Sequence, residues 1–184
     1  MQVDRLANLL GAAGLAVTDM VLAGVADTVE VSPSGAAALV VLSTSPGLSV
    51  TELGRRVGLS QSAAVRMVDS LQARDLVDRR SGARRGVSLE PTTAGRQAAR
   101  ELLDARARRL ATLFAPLGDA QREHLARLLG TLLAGLYGKI GDADLLCRLC
   151  DRDCCTRDDI CPVGQAERDH QAERDRQADR DRRG

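Results

Sequence analysis

Leu59-Ser60-Gln61-Ser62-Ala63-Ala64-Val65-Arg66-Met67-Val68-Asp69-Ser70-Leu71-Gln72-Ala73-Arg74-Asp75-Leu76-Val77 is the stretch whose reading decides the fold. Ser60 reads as an N-cap, and Ala64, Met67, Val68 and Leu71 then recur on one helical face, so a helix is expected through about Ala73. Upstream, Ser49-Val50-Thr51-Glu52 is a capping box. The serine hydroxyl can accept from the amide three residues on, and Glu52 can reach back. Val50, Leu53 and Val57 face inward, and Gly58 ends that short helix in a conformation glycine tolerates. Two helices joined by a tight glycine turn predict a helix-turn-helix. Downstream, Leu76-Val77-Asp78-Arg79 reads as a strand, Ser81-Gly82 as a turn and Gly86-Val87-Ser88-Leu89 as the return strand. A hairpin directly behind a helix-turn-helix is a wing, and this one carries Arg79, Arg80, Arg84 and Arg85 at its tip.

The flanks are helical. Leu6, Leu10, Ala13, Val17, Met20 and Val21 predict a long helix over about residues 3–29. Ser32-Pro33 opens a second helix running to Leu42, and Ser43 to Gly47 read as a loop. Pro91 is expected to open a helix to about Phe114, broken by Pro116-Leu117-Gly118. Asp119 is expected to cap the next, whose stripe is Leu125, Leu128, Leu129, Leu132, Leu133, Leu136 and Ile140. The expected fold is mainly α with a small β-hairpin wing: a winged helix-turn-helix (46–90) between long dimerisation helices (1–45 and 91–146). A Cys-rich motif (147–163) and a mixed-charge tail (164–184) follow. The long helices carry more apolar face than one copy covers, which predicts a homodimer. The tail repeats a hexad, QAERDH, QAERDR, QADRDR, with alanine its only apolar residue, and reads as a solvated segment, disordered or loosely helical.

Charge sharpens this reading. The chain has 184 residues, 26 basic and 25 acidic, for a net charge of +1. Such a sum argues against a polyanionic partner only if charge is evenly spread. It is not: residues 1–50 carry one base and four acids, 51–100 ten bases and five acids, 101–146 six of each, and 147–184 nine bases and ten acids. The positive excess sits on the helix-turn-helix and wing. Hydrophobic residues make up 44% of the chain, but Phe114 and Tyr137 are the only aromatics, so the core is aliphatic. Met1 to Arg5 lack the pattern of a signal peptide, and apolar runs such as Ala36 to Leu42 are far shorter than the roughly 20 residues of a membrane span. No membrane association and a cytoplasmic location are therefore expected.

Over Leu59 to Val77 the chain resembles the MarR family of bacterial winged-helix transcription regulators. Arg66, Val68, Leu71, Leu76 and Val77 keep the family's recognition-helix pattern, and helix order agrees over about residues 3–140. Val65 stands where the family usually has threonine, and Asp75 where it has glycine. The family's Asp-Arg wing pair is replaced by Ala83-Arg84-Arg85. The resemblance implies a DNA-binding regulator, a repressor by family habit. Members often bind small phenolic ligands, a property not carried over to a chain with so few stacking partners.

The DNA chemistry follows from the residues. The major groove admits an α-helix, and a helix N-terminus offers free amides to phosphate. Ser60, Gln61, Ser62 and Arg66 are the candidates there: arginine reads guanine bidentately and glutamine reads adenine. Arg79, Arg80, Arg84 and Arg85 would clamp phosphate or enter the minor groove. Arg55 and Arg56 are expected to face backbone or solvent. The expected partner is double-stranded DNA with a pseudo-palindromic operator, its half-sites about one helical turn apart.

All five cysteines lie close together: Cys147, Cys150, Cys154, Cys155 and Cys161, spaced C-x2-C-x3-C-C-x5-C. Such spacing suits four-thiolate ligation of Zn2+ or of an iron–sulfur cluster, with one cysteine spare and Cys154 and Cys155 competing as neighbours. Metal-free reactive thiols are the third reading. The function read from sequence is a dimeric DNA-binding regulator, redox- or metal-responsive through these cysteines. The alternative is a metal- or redox-binding module whose winged helix mediates protein contacts. An enzyme is not expected: there is no phosphate loop, no dinucleotide glycine fingerprint and no Ser–His–Asp set. His124 and His170 are not read as ligands.

Overall fold

The computed structural model describes residues 3–81, 87–157 and 159–183, with backbone alone for 25–28 and 183. Two compact units divide it, Met1–Pro116 and Leu117–Gly184.

The first unit begins with α1 (Val3–Thr28), α2 (Pro33–Thr44), α3 (Val50–Val57) and α4 (Gln61–Ala73). The antiparallel strands β1 (Val77–Ser81) and β2 (Val87–Pro91) follow, then α5 (Thr93–Phe114). Helix α2 is its centre. Gly35 to Leu42 are all buried, which fits a helix apolar all round. Ser32 caps it by accepting from the Gly35 amide at 3.1 Å, and Pro33 occupies the first turn as expected. Leu53, Val68, Leu71, Val77 and Leu89 close the core from α3, α4 and the hairpin. The strands pair from Val77 opposite Pro91 to Ser81 opposite Val87. Leu48 bridges to Leu89, so the segment before α3 also touches the hairpin.

Capping is decided locally. Ser49 and Ser60 accept from the amides three residues on, at 3.2 and 3.4 Å, and Gly58 closes α3 at φ 75°. Asp75, standing where the family has glycine, takes φ 57°. Aspartate is among the few residues that visit this left-handed region.

Several expectations need correcting. The strands are Val77–Ser81 and Val87–Pro91, slightly later than read. Pro91 ends β2 instead of opening α5; Thr92 caps that helix, its Oγ1 accepting from the Gly95 amide at 3.0 Å. In the second unit Gly118, not Asp119, is the N-cap of α6 (Asp119–Ile140), and the Gln121 side chain accepts the Gly118 amide at 3.0 Å. Glu52 does not complete the capping box by reaching back, because its carboxylate accepts from Arg55 and Arg56 at 2.8–3.0 Å.

Those two guanidinium groups hold the Glu52 carboxyl down to about 2. A depressed carboxyl stabilises the fold above its unfolded pKa, and that contribution is lost as pH falls through the folded value. Glu52→Gln should therefore lower stability at neutral pH by up to about 1 kcal/mol, since solvent screens so exposed a pair. Thermal melts of the two proteins should draw together as pH falls from about 4.5 towards 2. A gap independent of pH would contradict the assigned role of these pairs.

The second unit holds α6, α7 (Ala143–Leu146), α8 (Arg152–Thr156) and α9 (Pro162–Arg183). Of the two forms expected for the tail, disordered or loosely helical, the structure has the helix: α9 is continuous and packs against α6. The hexad explains it, because Gln165, Gln171 and Gln177 each donate to the aspartate four residues on at 2.8–2.9 Å. Such pairs support a helix without an apolar face. Tyr137 is the buried anchor of α6, with the His170 ring edge-on at 5.3 Å.

The membrane reading also changes. Val3–Gly24 is long and apolar enough to cross a bilayer by length and composition, at mean hydropathy 1.7. Counting uninterrupted apolar runs misses it, since Asn8, Gly11, Gly14 and Thr18 break the runs, while Asp19 is the single charge between Leu6 and Gly24. Val3, Leu6, Leu9, Leu10 and Leu15 are exposed along this helix.

Candidate functional site

Helix α4 presents two faces. Ala64, Met67, Val68 and Leu71 are buried, while Gln61, Ser62, Val65, Arg66, Asp69 and Ser70 are exposed. The periodicity that buries the first set leaves the second on the outside. Ser60 is exposed too, but its oxygen serves the cap and lies 3.4 Å from Ser62 Oγ. The amides of Gln61 and Ser62 have no carbonyl within the helix to bond. Arg66 lies one turn further on, with no ion pair among the described residues. Sequence reasoning passed over Val65, whose side chain lies in the middle of this face.

The crossing of α3 on α4 is close. A Cβ on Gly54 would lie 2.7 Å from the Ala64 Cβ, so the two helices meet where neither has bulk. A glycine inside an eight-residue helix was the available signal, since glycine there costs about 1 kcal/mol without a packing reason.

The wing is tied to α4 by one ion pair. Arg79 Nη2 lies 2.7 Å from Asp69 Oδ1, which ties β1 to α4. Arg80 pairs with Asp78 at 3.3 Å and stays largely exposed. Sequence reasoning sought the brace at the wing tip and missed Asp69. Arg79 is thus engaged with α4, whereas Arg80 lies further out. Arg84 and Arg85 lie outside the described residues. Arg55 and Arg56 are both paired with Glu52.

Helices α3 and α4 thus form a helix-turn-helix followed by a hairpin tied to α4. Residues 30–86 match the MarR family model. Solved structures, several of them of MarR family proteins, agree in fold. RV1404 from Mycobacterium tuberculosis is 26% identical with a TM-score of 0.64, over 72% of this chain and 92% of that one. The Mycobacterium tuberculosis MarR family protein Rv2887, solved in complex with DNA, is 25% identical with a TM-score of 0.59, over 69% and 96%. A MarR family protein from Bacillus stearothermophilus, 22% identical, has a TM-score of 0.65 over 74% and 99%. No curated protein matches the chain in sequence. The expected fold class, mainly helical with a two-stranded wing, is that of these MarR structures.

The cysteines lie apart from the MarR-matched residues, in the second unit. Cys147, Cys150, Cys155 and Cys161 line one cavity of about 210 Å³. Cys154, its amide on the Asp151 cap at 3.0 Å, does not line it. The Cys147 thiol is pushed far up, first by its hydrogen bond with Cys150 and then by burial. Cys155 is raised to about 11 by burial and by its neighbour Cys161, with which it also hydrogen-bonds. Arg152 lines the same cavity and is held by Asp144 at 2.7 Å. Among the described residues, no three His, Cys, Asp or Glu side chains are arranged to hold a metal ion.

Proposed function

We propose that the chain is a dimeric transcription regulator that binds double-stranded DNA and acts as a repressor. The observation that carries this reading is the outward face of α4, where Gln61, Ser62, Val65 and Arg66 share an exposed surface beside a wing held to α4 by Asp69. The α4 N-terminus would enter the major groove, with Gln61 and Ser62 near phosphate or base edges and Arg66 on a base. Val65 offers an apolar contact for a thymine methyl, and Arg80, Arg84 and Arg85 would meet the backbone or minor groove beside it. Rv2887 in complex with DNA supports this use of the fold. Repression would follow from occupying a promoter, and a signal would arrive through the C-terminal cysteines.

Dimerisation is the reading of two exposed apolar faces. One belongs to α1, and the other is the Leu128, Leu129, Leu132, Leu136 and Ile140 face of α6, with each residue 41–50% exposed. A second copy of the chain would cover both. In detergent-free buffer the protein should sediment at twice 19.6 kDa. Partition into lipid vesicles instead would show that α1 serves a bilayer.

Binding to a pseudo-palindromic promoter fragment across a salt series tests the DNA reading. Affinity should fall linearly in log–log form, losing about 10³–10⁵ between 50 and 200 mM salt if six to ten phosphates are contacted. Affinity insensitive to salt would overturn this mode of binding.

A further inference from the structure

We propose that Cys147, Cys150, Cys155 and Cys161 form a four-thiolate site for a thiophilic metal centre, zinc or an iron–sulfur cluster, and that Cys154 stands outside it. The geometry points to these four. They line a single cavity of about 210 Å³, drawn from three places along the chain: the end of α7, helix α8 and the residue before α9. There Cys147 interacts with Cys150 and Cys161, and Cys155 with Cys161 and Cys150. Cys154 and Cys155 are successive residues of α8, so their side chains diverge by about 100° and only one can face the cavity. Residue by residue, that is Cys155.

The second unit also needs such a staple. Among its described residues only Tyr137 and Val163 are buried apolar side chains. A unit of about 70 residues with so small a core ordinarily depends on metals, disulfides or oligomerisation. Four thiolates around one metal would fasten α7 and α8 to the start of α9. That start already rests on α6, where Gly130 leaves room for the Pro162 ring.

Ligation requires the four sulfurs to draw closer together than they stand, so metal binding organises the site. Each sulfur that bonds the metal releases its proton to solvent. For zinc, four thiolates and one dication leave a net charge of −2, which Arg152 at the cavity wall partly offsets. The inference does not depend on DNA binding, and it is read from metal content alone.

The test uses the full chain purified without oxygen, with zinc, iron and acid-labile sulfide measured per chain. One zinc in a colourless protein identifies the zinc arm; a brown protein with matching iron and sulfide identifies the cluster arm. Alkylation followed by mass spectrometry then counts free thiols. The loaded chain should be modified at Cys154 alone, and the chelator-treated chain at all five cysteines. Cys154→Ser should keep the full metal content, whereas Cys155→Ser should bind at least about tenfold more weakly. The idea is overturned if the chain holds no metal and takes up neither added Zn2+ nor iron with sulfide. It is equally overturned if Cys154 is protected by metal, or if Cys154→Ser loses as much metal as Cys155→Ser.

Discussion

Gly95→Ala is expected to destabilise the first unit by about 3 kcal/mol, a fall in Tm of roughly 10 °C or more. A Cβ at this position would collide with the Leu76 carbonyl oxygen. That oxygen cannot simply rotate away, because it accepts from the Thr92 amide at 3.1 Å. Thr92 is fixed in turn: its hydroxyl donates to the Asp75 carbonyl at 2.6 Å and accepts from the Gly95 amide at 3.0 Å. A methyl group would push the start of α5 off the turn between α4 and β1 and break this set. Alanine is the better helix former by about 1 kcal/mol, so a Tm equal to or above that of the natural chain would refute the close approach. The displacement would also tilt β1, and with it the wing, so DNA affinity should fall together with stability.

Arg66→Ala is expected to do the opposite, weakening DNA binding while leaving the melt unchanged. Arg66 is exposed on α4 and has no ion pair among the described residues, so its loss leaves no partner uncompensated. Stability should stay within about 0.5 kcal/mol. A bidentate contact with a base is worth about 1–3 kcal/mol, and a symmetric dimer uses it twice. Binding to the preferred operator should therefore weaken by about thirtyfold to more than ten-thousandfold. Preference among sequences should relax as well, because the contact reads a base and not a phosphate. An equal loss on every sequence would reassign Arg66 to the backbone. No loss at all would remove α4 from the DNA surface.

Much of this was legible before any coordinates. Ser32, Ser49 and Ser60 cap their helices as their spacing predicted, Gly58 closes α3, and the winged helix-turn-helix follows in the expected order. These features are local, settled by residues three or four positions apart. The misreadings were equally physical. Glu52 was assigned to a backbone amide, yet two guanidinium groups one turn on offered stronger charge-assisted bonds. The tail's lack of an apolar face leaves disorder and a loose helix both open, and its glutamine–aspartate pairs and its packing on α6 favour the helix. The membrane-length character of α1 was hidden by counting unbroken runs.

The sequence by itself determined the helical periodicities, the caps, the turn chemistry and the segregation of positive charge onto residues 51–100. Each is written in short spans, where backbone geometry fixes which neighbours meet. Only the tertiary structure decided that Arg79 is held by Asp69, that Gly54 and Gly95 are points of contact, and that Cys155 rather than Cys154 lines the cavity with the other three thiols. Those choices join residues far apart in the chain or separate two adjacent ones. Both depend on the path the backbone takes through space, which composition and spacing do not encode.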